Sequence, residues 1–399
     1  MRPTPCSRRQ GAARLERCAA VDATYGTHRS MEGACMKVGI VGMPGAGKTT
    51  VFRLLTGGNP AGRQDASIGM AKVPDARIDV LSGMFKPRKT TYAQIEVVDL
   101  AGGAGLGLAR SGVDYDGRAR ARGISLLVNH MRTVDALIHV VRAFDTADGE
   151  PRNPVADAAS LNDELILADM AIAEARVERL RSSRKRTADE DRELELMELL
   201  AAEFGEGRGL REIELAGDDQ NRLRGYGLLS VKPIIVAANM SEEQFASGGF
   251  PEEAQLLGYC DERHVPYIRL CASIEADISE LPPEERAAFM DAYGIASTGV
   301  ERVSRAVYDR LGLVSFFTVG EDEVRAWPVA AGTDARHAAG KIHSDIEHGF
   351  IRAEIVAYDD LIRLGSYAAA RAAGAFRLEG REYTMADGDI ANFRFSPPR

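Results

Sequence analysis

Residues Gly42-Met-Pro-Gly-Ala-Gly47-Lys48-Thr49 satisfy G-x-x-x-x-G-K-[ST] at every fixed position. They lie between the apolar run Lys37-Val-Gly-Ile-Val-Gly42 and a helical run opening at Thr50. A strand, a glycine-rich turn and a helix in that order leave few folds open, because the turn must cradle an anion at the helix N-terminus. The candidate cradle is Gly42, Pro44, Gly45, Ala46 and Gly47, continued by Lys48, Thr49 and Thr50. Its backbone N–H groups would meet phosphate oxygens, Lys48 would bridge the β- and γ-phosphates, and the Thr49 hydroxyl would ligate Mg²⁺.

The remaining strand signals agree with that start. Ile95–Val98, Ala136–Val141, Pro233–Ala238 and Val265–Leu270 are rich in β-branched residues without strict alternation, the pattern of parallel strands covered on both faces. With the first strand they predict an α/β fold, a doubly wound and mostly parallel sheet. A charged, strand-free stretch from about Ser160 to Gly205 interrupts them. Apolar residues there recur as Ile166, Met170, Ala173, Val177, Leu180 and as Leu194, Met197, Ala201, Phe204, which predicts an antiparallel helical hairpin. Ser160 is the expected N-cap of its first helix, and Thr187-x-x-Glu190 a capping box opening the second. From Phe316 onward, short strand candidates (Arg325–Val329, Phe350–Val356, Arg377–Leu378, Ile390–Phe395) surround a helix at Ala335–Ile342, a small α+β module. The expected organisation is an extension without fold over 1–35, with Met36 as an alternative start. A first part of the P-loop domain follows over 36–150, then the helical insertion over 151–229. A second part of the P-loop domain spans 230–313, and the terminal module 314–399.

Two further segments carry nucleotide chemistry. Asp99-Leu-Ala-Gly102 ends an apolar strand, which brings a carboxylate to the Mg²⁺ and a backbone N–H to the γ-phosphate. The candidate catalytic set is therefore Lys48, Asp99 and Gly102, with Thr49 and Asp99 as metal ligands. Gly103 follows the switch glycine where Ras-like enzymes hold a water-positioning glutamine, so unassisted hydrolysis is expected to be slow. At the end of another strand stands Asn239-Met240-Ser241-Glu242, where guanine-specific enzymes present Asn-Lys-x-Asp. Losing the Asp and Lys removes the geometry that enforces guanine. Asn239 could pair with adenine N6 and N7, Met240 could pack on the ring, and Glu242 replaces the aspartate. Cys271-Ala272-Ser273 is the expected loop over the base.

Composition closes off other classes. Fifty Lys and Arg against fifty-nine Asp and Glu give a net charge of −9, so nucleic-acid contact requires a local patch. One candidate is Arg179, Arg181, Arg184, Lys185 and Arg186 at the hairpin tip, whose alternative reading is a solvated helix end. Five cysteines with no C-x-x-C argue against a disulfide framework, and no apolar run nears the roughly 18 residues needed to span a bilayer. A cytoplasmic protein is expected, with no membrane or DNA partner. His337, His343 and His348 set no metal spacing, His130 could reach the phosphates, and His139, inside an apolar strand, reads as a satisfied core residue.

Taken together, these motifs resemble the YchF-type Obg-like ATPases of the TRAFAC P-loop class, from Met36 to Phe395. Besides the P-loop and Asp99–Gly102, the likeness rests on Val73-Pro-Asp-Ala-Arg77, Asp135–Phe144, Asn239–Glu242 and Glu301–Gly312. Phe316–Trp327 and Ala339–Glu354 resemble a TGS domain, a ubiquitin-like β-grasp module. The resemblance implies a G domain with a coiled-coil insertion, preference for ATP as substrate, Mg²⁺ as cofactor, and association with ribosomes or ribosomal RNA through the insertion and the TGS domain. K⁺ is a candidate stimulating ion. The chain departs from the family pattern at three places: Gly62–Gly69 replaces a threonine-bearing switch I, Asp145–Asn153 lacks a loop histidine, and Gly45 stands where asparagine is common. A GTPase of the same class, a largely non-catalytic ATP-gated scaffold and a small-molecule kinase are the alternative readings.

Overall fold

The computed structural model describes residues 36–58, 67–100, 128, 130–145 and 152–396. These fall into two compact units, Met36–Gly69 with Glu96–Val303, and Met70–Ile95 with Ser304 onward. Twelve strands are described: β1 (Lys37–Val41), β2 (Ser67–Lys72), β3 (Lys89–Thr91), β4 (Gln94–Asp99), β5 (Ala136–Arg142), β6 (Ile234–Asn239), β7 (Tyr267–Leu270), β8 (Leu313–Val319), β9 (Glu323–Ala330), β10 (Phe350–Ala357), β11 (Arg377–Glu379) and β12 (Asp389–Phe395). They form two six-stranded sheets, in the orders β2-β4-β1-β5-β6-β7 and β11-β10-β12-β8-β9-β3.

In the first unit β1 pairs in parallel with β4 and β5, and β5, β6 and β7 continue the parallel run. The apolar runs need covering on both faces, and they get it. Val51 and Phe52 of the helix Lys48–Thr56 are buried, and Leu161 and Leu165 of the helix Pro154–Ser182 join Val41, Val98 and Leu137 in one core cluster. Each such side chain contributes roughly 1.5–3 kcal/mol by leaving water. The helix Pro154–Ser182 starts six residues before Ser160: Asn153 accepts from Ala156 N at 3.0 Å and Pro154 takes the first helical position. An Asn-Pro pair supplies both a side-chain acceptor and a preset φ, so it outcompetes a serine further along. At the second helix, Ala188–Gly205, the capping box is formed, with Thr187 N donating to Glu190 Oε2 at 2.8 Å and Glu190 N to Thr187 Oγ1 at 3.2 Å. Ile166, Ala173, Met197, Leu200 and Phe204 are buried together with Leu210, Leu223 and Leu228, so the base of the hairpin is packed by a third segment.

The second unit curls its sheet around the helix Ala335–Ile342. Ala335, Ala338 and Ala339 have no accessible surface, which lets that helix approach Phe316, Phe350 and Phe393 closely. Its sixth strand comes from far away in sequence: β3 pairs in parallel with β9 from Lys89↔Glu323 to Thr91↔Arg325. The helix Ala76–Phe85, capped by Asp75, packs on β8 and β9. The contacts thus group residues 70–95 with the C-terminal part, whereas the local pattern had them in a continuous stretch 36–150. Pairing over such a separation leaves no periodic trace in a single sequence.

Arg77 ties this unit together. Its guanidinium donates to both oxygens of Asp75 (2.8–3.2 Å) and to both of Asp387 (2.7 and 3.1 Å), and it lies over Phe317 at 5.2 Å. Asp387 also accepts from Ser315 N at 2.8 Å. Two bidentate carboxylates use the planar fork in a way an ammonium cannot. Arg77→Ala is expected to lower the stability of this unit by about 2 kcal/mol, and Arg77→Lys to recover little of it. Urea unfolding followed by fluorescence of Trp327, the single tryptophan, checks this; an unchanged midpoint would refute the assigned role.

Candidate nucleotide site

The phosphate loop is shaped by two close approaches. Gly42, at φ 148°, passes so near β5 that a Cβ would lie 2.2 Å from the Val140 carbonyl oxygen. Gly47, at φ 92°, leaves no room for a Cβ either, which would stand 2.3 Å from Asn239 Nδ2. Glycine at both positions is therefore a steric necessity and a conformational one. Gly45 adopts φ 75° in open space, and Pro44, Thr49 and Thr50 are exposed. The helix Lys48–Thr56 has no acidic residue of its own in the first turn, which favours an anion at its N-terminus. Lys48 Nζ donates to Met43 O at 2.8 Å, back across the loop. Burial pulls its ammonium below the ordinary lysine range, and Asp99 partly offsets this.

Thr49 Oγ1 donates to Asp99 Oδ2 at 3.1 Å, which joins the helix start to the end of β4. A hydroxyl and a carboxylate oxygen side by side are hard ligands of the kind Mg²⁺ takes. Among the described residues no three His, Cys, Asp or Glu converge as a metal cage, so this pair suits an ion that keeps waters and phosphate oxygens in its shell. Gly102, the third candidate catalytic residue, lies outside the described residues, as do residues 62–66 of the switch I stretch and 146–151 of the histidine-less loop.

The base side is arranged differently from the pairing expected of it. Asn239 is buried at 5% exposure, and its amide faces the protein: Nδ2 donates to Ala46 O at 3.0 Å, and Oδ1 accepts from Ala272 N at 3.0 Å. One N–H of the amide is left for a base. Met240 is at 3% exposure, in one core cluster with Val141, Phe250 and Leu256. Met240 N donates to Leu270 O at 2.9 Å, which continues the pairing with β7 one residue past β6. Glu242 is exposed in the first turn of the helix Glu242–Ser247, whose capping box is Ser241 with Gln244. Cys271 is buried, its Sγ 3.2 Å from Ser273 Oγ, and Ala272 and Ser273 open the helix Ala272–Glu280.

His139 is the core residue expected from sequence, but it is not satisfied at both ring nitrogens. It is buried in β5, but among the described residues its Nε2 has no hydrogen-bond partner. Burial, with a smaller push from the Lys48 charge, lowers its pKa from 6.5 to about 3. The sign follows directly: between these values the unfolded chain takes up a proton that the folded one refuses, so stability falls as pH drops below 6.5. At pH 5 the deficit is about 2 kcal/mol. His139→Leu is expected to cancel it, its urea midpoint falling less than wild type between pH 7 and pH 5; parallel losses would sink the assignment.

Comparison with known proteins places this geometry. Residues 37–174 match the family model described as 50S ribosome-binding GTPase. Residues 313–396 match the C-terminal YchF-GTPase model, described as a protein of unknown function. A ribosome-binding ATPase YchF of Bacillus subtilis (strain 168) is 37% identical over 374 residues, covering 90% of this chain and 99% of that protein. The chain belongs to the YchF family. Obg-like ATPase 1 of Oryza sativa subsp. japonica is 33% identical over 377 residues, 90% of this chain and 92% of its own. The solved Schizosaccharomyces pombe YchF GTPase superposes with a TM-score of 0.79 at 31% identity, covering 91% of this chain and 98% of that one. The YchF fold is thus matched across both sheets.

Proposed function

We propose that the protein is a slow P-loop ATPase acting as a nucleotide-dependent switch in the cytoplasm and associating with ribosomes. The observation that carries the reading is the convergence of Lys48, Thr49 and Asp99 on the N-terminus of a helix with no acid of its own in the first turn. Lys48 exchanges its bond to the Met43 carbonyl for phosphate oxygens, and the desolvation already imposed on it makes that charge pairing favourable. Thr49 and Asp99 would hold Mg²⁺, whose contribution there would be to neutralise charge on the phosphates. With Gly103 in place of a glutamine, the chain supplies no side chain there to orient water, which supports slow turnover and acceleration by a partner.

The choice of base follows from Asn239–Glu242. No lysine or aspartate stands where guanine would need them, and Asn239 keeps one N–H for an acceptor such as adenine N7. Relatives carry both names, ATPase in Bacillus subtilis and GTPase in Schizosaccharomyces pombe. Equilibrium titrations with ATP and GTP in Mg²⁺ decide between them. ATP is expected to bind at least about tenfold tighter, 1.4 kcal/mol; tighter GTP binding would overturn the base assignment.

Ribosome association is read from the hairpin tip. Arg179, Arg181, Arg184, Lys185 and Arg186 are all exposed, and among the described residues only Arg181 and Arg186 have acidic partners, Glu198 and Asp191. Cations left unpaired in an acidic chain suit RNA phosphates. Replacing Arg179, Arg184 and Lys185 together by Glu is expected to weaken co-sedimentation with ribosomes and to flatten its salt dependence by about one unit of slope per lost contact. Undiminished binding would place the contact elsewhere.

A further inference from the structure

The helix Ala272–Glu280 is held at both ends of its first turn. At its first residue, Ala272 N donates to Asn239, the side chain that also grips the phosphate loop at Ala46. Three residues on, Glu275 is buried at 7% exposure, and its two oxygens accept from Gly299 N (2.7 Å) and Val300 N (2.9 Å). Those are the opening amides of the helix Gly299–Arg310. A carboxylate there satisfies two of the donors a helix start leaves unpaired, and it meets the positive end of the helix dipole. The backbone fits as closely as the charge: a Cβ on Gly299 would lie 2.5 Å from Glu275 Oε1, 2.6 Å from Leu270 Cβ and 3.0 Å from Arg269 O. Arg302 adds a bond from Nη2 to Arg269 O at 2.8 Å. The start of this helix is therefore clamped to the last residues of β7, the strand that delivers Cys271–Ser273. Two residues beyond its end, the chain enters β8.

We propose that Glu275 is a positioning residue that couples nucleotide occupancy at the Cys271–Ser273 loop to the docking of the helix Gly299–Arg310. The inference rests on the nucleotide reading above and adds a route by which occupancy leaves the site. Asn239 connects the phosphate loop to the first amide of helix Ala272–Glu280. Glu275, on that same turn, connects it to the next helix through two bonds with no slack. A ligand that orders the loop orders the turn, and the turn holds the helix start. The coupling is reciprocal, so helix docking favours nucleotide in the same measure.

Hydrogen exchange over residues 299–310 of the full chain, with and without saturating ATP and Mg²⁺, tests this beside a direct ATP titration. In the wild type ATP is expected to slow exchange there by about fivefold or more. In Glu275→Gln, whose amide nitrogen cannot accept from one of the two N–H groups, that ratio is expected to collapse towards one while ATP still binds. A merely structural role would raise exchange equally in the free and bound states and preserve the ratio, which would overturn the proposal. So would a wild type that binds ATP with no change in exchange. Absence of ATP binding to the wild type is a different failure, that of the nucleotide reading itself, and takes this inference with it. Should Glu275→Gln not fold, Arg302→Ala leaves the carboxylate in place and loosens the same docking. It is expected to reduce the ratio partly, and an unchanged ratio would count against coupling.

Discussion

One amide, Asn239, holds the nucleotide side of this protein in shape. It is the last residue of β6, and its side chain spans from a carbonyl of the phosphate loop to the first N–H of the helix after β7. Without it the Ala46 carbonyl and the Ala272 amide would both be buried and unpaired, each at a cost of about 1–3 kcal/mol. The loop would also lose the wall that makes glycine obligatory at position 47. Everything else in the site is hung from that span: Lys48 and Thr49 are placed by the loop, Cys271–Ser273 by the helix, and Glu275 by the turn that Ala272 begins.

The second unit solves a different problem. Its sheet closes over an aromatic core, and charged residues are organised at its margins. Arg77 gathers Asp75 and Asp387 around one guanidinium, while Glu354, at 6% exposure, is met by Arg371 and Arg394. A carboxylate buried that far needs cations or N–H donors around it, and Glu354 is met by cations. Paired charges here fix which strand and which loop lie together, and the phenylalanine core supplies most of the free energy.

How much of this was legible beforehand depended on whether the physics was local. The P-loop turn, the β-branched runs that became β1, β5 and β6, the helix Ala335–Ile342 and the Thr187–Glu190 box are all set by residues within a few positions of one another. Sequence pattern found them. Asn153 was missed as a cap because the apolar seam begins well after the helix does. The burial of Asn239 and Met240 is not visible in the motif, because Asn239 is held by the Ala46 carbonyl and the Ala272 amide, both far off in sequence, and Met240 joins Phe250 and Leu256 in a core cluster. Nothing near Glu275 hints that a carboxylate there meets amides at positions 299 and 300. His139 carried a weak signal, a polar ring in an apolar strand beside the phosphate loop, but not its missing partner.

The borrowing of residues 70–95 by the C-terminal unit has a consequence for the order in which the molecule can be made. Thr91 Oγ1 bonds Glu323 across 232 residues of chain. At synthesis rates of about 5–20 residues per second, the segment waits roughly 10–50 s for its partner strand to be made. During that interval β3 has no β9 to pair with, and Arg77 has Asp75 but not Asp387. The first sheet is complete once β7 has been made, whereas the second still awaits β8 to β12. Folding of the two units is therefore staggered in time, with an early segment held back as an unpaired edge that the nascent chain has to keep from pairing wrongly.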